Sequence, residues 1–212
     1  VGQLNRLCLN GQVSRLLRIA EGLHEKKIAQ VADEILSRTP QVRLVTIAGP
    51  SSSGKTTFAK RLGIQLRVNG IDPVSISLDD YYVDRHRTPV GDDGDPDFEA
   101  LDAIDLELFN QHLAELMAGG EVRTPRYDFI TGRRKPASGW TPMRLRDDQV
   151  LVVEGIHGLN DRLTRSVPSD VRYRIYASAL SQLAIDDHNR IFTADARLIR
   201  RIVRDRLFRG FT

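Results

Sequence analysis

The segment Gly49-Pro50-Ser51-Ser52-Ser53-Gly54-Lys55-Thr56 fits the pattern G-x-x-x-x-G-K-[ST]. With average residue frequencies, a chain of this length matches by chance on the order of 1 time in 100. Its surroundings make coincidence harder still. A short β-rich run, Leu44-Val45-Thr46-Ile47-Ala48, precedes it. Thr56 to Val68 then shows helical spacing, with Phe58, Leu62 and Leu66 on one side. The chemistry demands this strand–loop–helix order. Glycines let the backbone curl until several N–H groups face one phosphate. The helix that begins near Lys55 adds its positive end to the same anion. The expected ligand is a nucleoside triphosphate, ATP, with Mg²⁺. Gly49, Ser51, Ser52, Ser53, Gly54, Lys55, Thr56 and Thr57 are the expected phosphate-contacting positions. Lys55 reaches the β- and γ-phosphates, and the Thr56 hydroxyl ligates the metal.

A phosphate loop alone does not choose among kinase, GTPase and motor. Guanine-binding proteins usually carry N-K-x-D, and no Asn here is followed by Lys. The chain has 212 residues, 41% hydrophobic and 28% charged, which excludes wholesale disorder. Its one cysteine, Cys8, leaves no intramolecular disulfide and no Cys-based zinc site. No apolar stretch is long enough to span a membrane, and no basic end followed by an apolar core marks a signal peptide. A cytoplasmic location is expected. The chain begins at Val1 and stops just past an arginine-rich stretch, as a piece of a longer protein would.

The net charge of +3 is unevenly spread. Arg190 to Arg209 carries seven arginines against Asp195 and Asp205. A solvated helix face, a nucleic-acid surface and a clamp on a phosphorylated small molecule all fit such a run. Acids gather elsewhere, between Asp92 and Asp105.

Residues 13–37 have helical spacing and read as one long helix or a helix pair packed outside the main core, ending before Pro40. Pro73 to Leu78, Val150 to Val153 and Val171 to Tyr176 read as further strands. Asp105 to Met117 reads as a helix, as do stretches at about 180–189 and 194–208. Residues 81–98 form a long loop, and 123–147 an irregular region with a short hairpin. Alternating strands and helices imply a mainly parallel sheet covered on both faces.

Ligands of parallel sheets gather at the carboxyl ends of the strands. There the second strand runs into Asp79-Asp80-Tyr81-Tyr82, and the third ends in Glu154. Asp79 is placed to take a proton from a hydroxyl, to hold Mg²⁺, or merely to cap a strand. Glu154 is a metal ligand, acting through water, or an ordinary strand-end acid. Trp140 is read as a packing anchor rather than a base-stacking residue, and His188 as a polar helix-start residue rather than a substrate contact. His157 stays open. His24, His86 and His112 show no metal-ligand spacing.

The loop Gly49–Thr56, Ser77-Leu78-Asp79-Asp80-Tyr81-Tyr82, Phe98-Glu99-Ala100-Leu101-Asp102-Ala103-Ile104-Asp105, Tyr127-Asp128-Phe129, Glu154-Gly155-Ile156 and the arginine-rich helix follow one another in the order seen in a known family. Over roughly residues 43–209 the chain resembles the uridine kinase and phosphoribulokinase family, and its first forty residues resemble the helical segment that precedes the kinase in a bacterial uridine kinase-like nucleoside kinase subgroup. The resemblance implies a P-loop NTPase fold, three-layer α/β/α with a mainly parallel sheet. It implies a helical segment at 1–40 and a P-loop kinase domain at 41–212, with a lid around 190–212 and further elements beyond both ends. Asp79 matches the general base, although Asp80 stands where Ser or Asn is usual, so the sequence does not choose between the two carboxylates.

Residue by residue, the resemblance makes Asp79, Lys55 and Arg200 catalytic. It makes Thr56, Asp79 and Glu154 the Mg²⁺ ligands. Asp80, Tyr82, Glu99, Tyr127, Phe129, Arg197 and Arg204 become substrate-binding. Glu99 replaces the usual Asp of a sugar-binding motif, and Gly132 takes the place of a base-reading His. The implied reaction is ATP-dependent phosphorylation of a small-molecule hydroxyl, foremost a nucleoside 5′-hydroxyl. A sugar, polyol or vitamin-like alcohol is the rival acceptor, and an ATP-binding regulatory or RNA-binding protein the reading from another class. The expected partner is a small-molecule hydroxyl acceptor, with no membrane and no nucleic acid. The sequence leaves homo-oligomerisation open.

Overall fold

A computed structural model describes residues 2–39, 42–179, 189 and 191–208. Along them run helices α1 (Gly2–Leu9), α2 (Val13–Ser37), α3 (Lys55–Val68), α4 (Leu106–Met117) and α5 (Thr193–Phe208). The strands are β1 (Leu44–Ala48), β2 (Asp72–Ser77), β3 (Glu121–Thr124), β4 (Tyr127–Asp128), β5 (Arg133–Arg134), β6 (Thr141–Arg144), β7 (Gln149–Glu154) and β8 (Arg172–Tyr176). The helix expected at 180–189 falls outside the described residues except for Asn189, and so does His188.

Four strands make one parallel sheet in the order β2-β7-β1-β8. Alternating side chains give it two buried faces. On one face Leu44, Ile76, Leu151 and Val153 meet Phe109, Leu113 and Leu116 of α4. On the other, Val45, Ile47, Val150 and Val152 meet Leu62 and Leu66 of α3. The expected three-layer α/β/α arrangement is therefore present. No described helix is long and apolar enough to cross a membrane.

Helix α2 differs from its expected place outside the core. Ile28, Ala32 and Ile35 are fully buried beside α3. Gln65 donates to Glu25 at 2.7 Å and Asn69 to Asp33 at 2.9 Å, tying α3 to α2. The earlier turns of α2 leave Leu17, Ile19 and Leu23 exposed. The same apolar spacing thus serves two environments, which periodicity alone does not distinguish.

The region after α4 is more regular than its sequence suggests. β3 pairs antiparallel with β6, and the short pair β4–β5 lies inside that ribbon. Arg134 fastens the ribbon to the segment after β2. Its guanidinium donates to Asp105 Oδ2 at 3.0 Å and to the carbonyls of Tyr81 and Tyr82 at 3.1 Å.

Tyr81 fills the core under this clamp. Its ring meets Phe109 edge-on at 5.1 Å, and its hydroxyl lies 3.0 Å from Nδ1 of the buried His112. Burial pushes the His112 imidazole below its ordinary 6.5; Glu115 and Asp105 pull it up, and Arg134 pushes it down further. The unfolded chain therefore binds this proton more readily than the fold does. Stability from a neutral His112 is complete above pH 6.5 and is lost as pH falls through the lower, folded value. Unfolding in urea should show stability declining as the solution is acidified from neutrality, and declining less steeply in His112→Gln. Identical slopes in the two proteins would rule His112 out as the source.

Candidate active site

The carboxyl ends of β1, β2 and β7 meet in register: Ile47 and Ser77 both lie opposite Glu154. After β1 the chain turns at Gly49. A Cβ there would lie 2.0 Å from the carbonyl oxygen of Ala177, so only glycine lets the chain following β8 approach. The loop then curls over Pro50 to Gly54, with Ser53 N–H donating to Pro50 O at 3.1 Å. Ser52 holds φ +60. For a residue with a Cβ this left-handed conformation costs about 1–2 kcal/mol. The hydroxyls of Ser52 and Ser53 are buried and, among the described residues, have no hydrogen-bond partner. Phosphate oxygens would supply the missing acceptors.

Helix α3 begins at Lys55. Lys55 Nζ folds back and donates to Pro50 O at 3.2 Å. Thr56 Oγ1 and Ser77 Oγ each donate to Glu154 Oε1 at 3.0 Å. Burial lowers the Lys55 pKa; Glu154 and Asp79 act against this, while Arg204 and Arg197 add to it. Burial likewise raises the Glu154 pKa, and Asp79 raises it further; the two hydroxyls and Lys55 oppose the rise. One cation and two carboxylates therefore share a single partly desolvated patch.

That patch suits Mg²⁺. Its donors are hard oxygens, and Thr56 directs its proton to Glu154, leaving a hydroxyl lone pair for a cation. Among the described residues no group of three or more His, Cys, Asp and Glu could hold a metal. A metal shared with substrate phosphates needs only one or two carboxylates.

A cavity of about 630 Å³ extends from this patch. Ser51, Ser52, Gly54, Lys55, Thr56 and Thr57 line it from the loop, with Asp79 and Glu154 from the strand ends. Tyr82, Phe98, Tyr127 and Phe129 form an aromatic wall, joined by Glu99. The rings meet edge-to-face, with Tyr127 5.6 Å from Tyr82 and 5.1 Å from Phe129. Asp97 presents Glu99 by accepting its backbone N–H at 2.8 Å. Arg200, Arg201 and Arg204 face the cavity from α5.

Four expected positions do not line it: Gly49, Ser53, Arg197 and Asp80. Arg197 instead donates to the carbonyl of Ser51 at 2.9 Å, as Arg200 does to that of Ser52. Asp80 accepts from Arg126 at 3.2 Å and from Tyr127 N–H at 3.3 Å. The two adjacent carboxylates thus part company, because the 3₁₀ turn Leu78–Tyr81 sends successive side chains in different directions.

Five lining residues carry no site role in the sequence expectations: Phe98, Ile156 and Arg201, which lie within the quoted motifs and the arginine-rich helix, and Arg85 and Asp205. Asp205 lies 3.6 Å from Arg201 and 2.7 Å from Arg204. Its i,i+4 spacing from Arg201 was a usable signal. Arg85 had no such signal, since it reaches the cavity from the long loop. Trp140 behaves as a packing residue, with its indole N–H donating to Lys135 O at 2.9 Å.

A model of the Phosphoribulokinase / Uridine kinase family matches residues 44–212. A uridine kinase of Brevibacillus brevis is 31% identical over 167 residues, covering 79% of this chain and 68% of that protein. A uridine kinase of Clostridium botulinum is 30% identical over 172 residues, covering 80% and 71%. A solved structure described as a possible uridine kinase from Bacillus stearothermophilus has a TM-score of 0.56 at 22% identity, covering 84% of this chain and 95% of its own. A candidate fructose transport system kinase from a Silicibacter species gives 0.55 at 21%, covering 87% and 84%. At these identities the two structures bear on the fold alone.

Proposed function

Because this chain belongs to the phosphoribulokinase / uridine kinase family, and is thereby a phosphotransferase that uses ATP and an alcohol acceptor, we propose that the acceptor is the 5′-hydroxyl of a pyrimidine nucleoside. One observation carries this reading. A single cavity joins the Lys55–Glu154–Asp79 patch to an aromatic wall with a carboxylate, Glu99, beside it. Aromatic rings suit a flat base, and a carboxylate suits the paired hydroxyls of a ribose.

In this mechanism the loop N–H groups and Lys55 hold the β- and γ-phosphates. Thr56, Asp79 and Glu154 would hold Mg²⁺, whose charge would offset that of the phosphates. Glu99 and the rings of Tyr82, Tyr127 and Phe129 orient the nucleoside so that its 5′-oxygen faces the γ-phosphorus. Asp79 accepts the 5′-hydroxyl proton as the new P–O bond forms and the bond to the ADP oxygen breaks. Arg200 and Arg204 neutralise charge spread over the transferring group, while Arg197 fixes α5 to the loop. Asp80 acts one step removed, holding Tyr127 in place through its backbone N–H. Positioning and electrostatics supply nearly all of the rate. Residues 41–212 would form the kinase domain, with 1–40 as a helical segment that braces α3.

An ATP-consumption screen across nucleosides, sugars and polyols tests the proposal. The expected outcome is ADP release stimulated by a pyrimidine nucleoside, with its 5′-monophosphate as product. Stimulation only by a sugar or polyol would overturn it. So would salt-sensitive RNA binding with no hydroxyl-stimulated turnover.

A further inference from the structure

The cavity contains a donor pair that the phosphoryl-transfer chemistry does not use. Arg85 and Tyr127 both line it. Arg85 opens the short turn Arg85–Arg87 in the long loop after β2. Its backbone N–H donates to Gly132 O at 2.9 Å, and its NH2 group donates to Phe129 O at 3.2 Å. The turn at 129–132 therefore holds Arg85 by both main chain and side chain.

Gly132 makes this possible. It has φ +67, and a Cβ there would lie 2.7 Å from both Cζ and Nε of Arg85. A side chain at 132 would require the guanidinium of Arg85 to shift from this position. The space that residue 132 would fill in a chain with a larger side chain is filled here from a different segment.

Tyr127 supplies an independent observation. It is only 7% exposed, and its hydroxyl is buried with no hydrogen-bond partner among the described residues. Burial raises its pKa, with the charge of Arg85 acting in the opposite direction. The hydroxyl thus stays protonated and lacks an acceptor, a costly state that a ligand would relieve. The guanidinium fork also retains N–H donors beyond the one given to Phe129 O, and it can never accept.

We propose that Arg85 is a specificity-determining residue of the acceptor site: it donates to the 4-carbonyl oxygen of a pyrimidine ring, which uracil has and cytosine lacks, and so favours uridine over cytidine. The inference rests on the nucleoside reading above. Uracil offers carbonyl oxygens on either side of its N3–H. Cytosine replaces one of them with an amino group, which would meet the guanidinium donor to donor. Its remaining acceptors keep cytidine a weaker substrate instead of excluding it. Because Arg85 is exposed, water softens the discrimination.

Steady-state kinetics with both nucleosides test this. The wild-type protein should favour uridine about tenfold in kcat/KM. Arg85→Gln carries both a donor and an acceptor. It should lower kcat/KM for uridine about tenfold, mainly through KM, and bring the two nucleosides within about threefold of each other. Its KM for ATP should change by less than about twofold. Arg85→Lys retains donors only and should keep the preference for uridine. This second variant also serves if the glutamine protein does not fold, as judged by its thermal unfolding midpoint. Equal use of both nucleosides by the wild type would overturn this inference alone. So would an unchanged ratio in Arg85→Gln, loss of the preference in Arg85→Lys, or a defect centred on the KM for ATP. Failure of every nucleoside, with another alcohol as acceptor, would overturn the nucleoside reading and this one with it.

Discussion

Asp79→Asn is expected to lower kcat by about 10²- to 10⁴-fold, with a much smaller loss of nucleotide affinity from the weakened Mg²⁺ site. Asn keeps the shape of the side chain and removes its ability to take a proton. It also removes a negative charge that raises the Glu154 pKa. Glu154 becomes the more readily ionised, so the nucleotide site keeps its carboxylate and the defect falls on the chemical step. Asp80→Asn supplies the contrast. Asp80 faces Arg126 and the Tyr127 N–H, not the cavity. Its loss should cost about 1 kcal/mol of stability and leave kcat within roughly tenfold of the wild type. Initial rates with ATP and uridine, paired with urea unfolding, separate the two effects. Full phosphoryl transfer in Asp79→Asn would sink the assignment of the base, and an equally large loss in Asp80→Asn would show that the pair acts as a unit.

Lys55→Ala is expected to lower kcat/KM for ATP by about 10²- to 10³-fold. Lys55 is the cation between two carboxylates that each hold its pKa up against burial. Removing it takes a donor from the phosphates and leaves Asp79 facing Glu154 uncompensated. The Glu154 pKa then rises further, because Lys55 is one of the groups that lower it. The site loses a phosphate contact and part of its negative charge toward a metal together. Nucleotide affinity, read with a fluorescent ATP analogue, should weaken along with single-turnover rates. Wild-type affinity and rate in this variant would rule out its place on the phosphates.

Much of the frame is legible in the sequence because it is local. Leu44 to Ala48, the loop and α3 appear within a residue of where their spacing puts them, since β-branched runs, glycines and the 3.6-residue period act over short distances. Strand ends likewise announce Asp79 and Glu154. What is not legible depends on contacts distant in sequence. Thr56 and Glu154 are 98 residues apart, and Arg85 and Phe129 are 44 apart. The inner half of α2 looks like the outer half until α3 covers it. The ribbon at 121–144 is pinned by Arg134, whose partners lie in other segments.

The sequence by itself determined a phosphate-loop pattern at the turn between β1 and α3, and that acids stand at the ends of two strands. Backbone conformation and side-chain period are properties of adjacent residues, so they are written in order along the chain. Only the tertiary structure decided which of Asp79 and Asp80 faces the cavity, and that the gap left by Gly132 is occupied by Arg85. Those outcomes depend on the direction of a short 3₁₀ turn and on the close approach of two loops. Both are set by packing across the fold, where no local pattern records them.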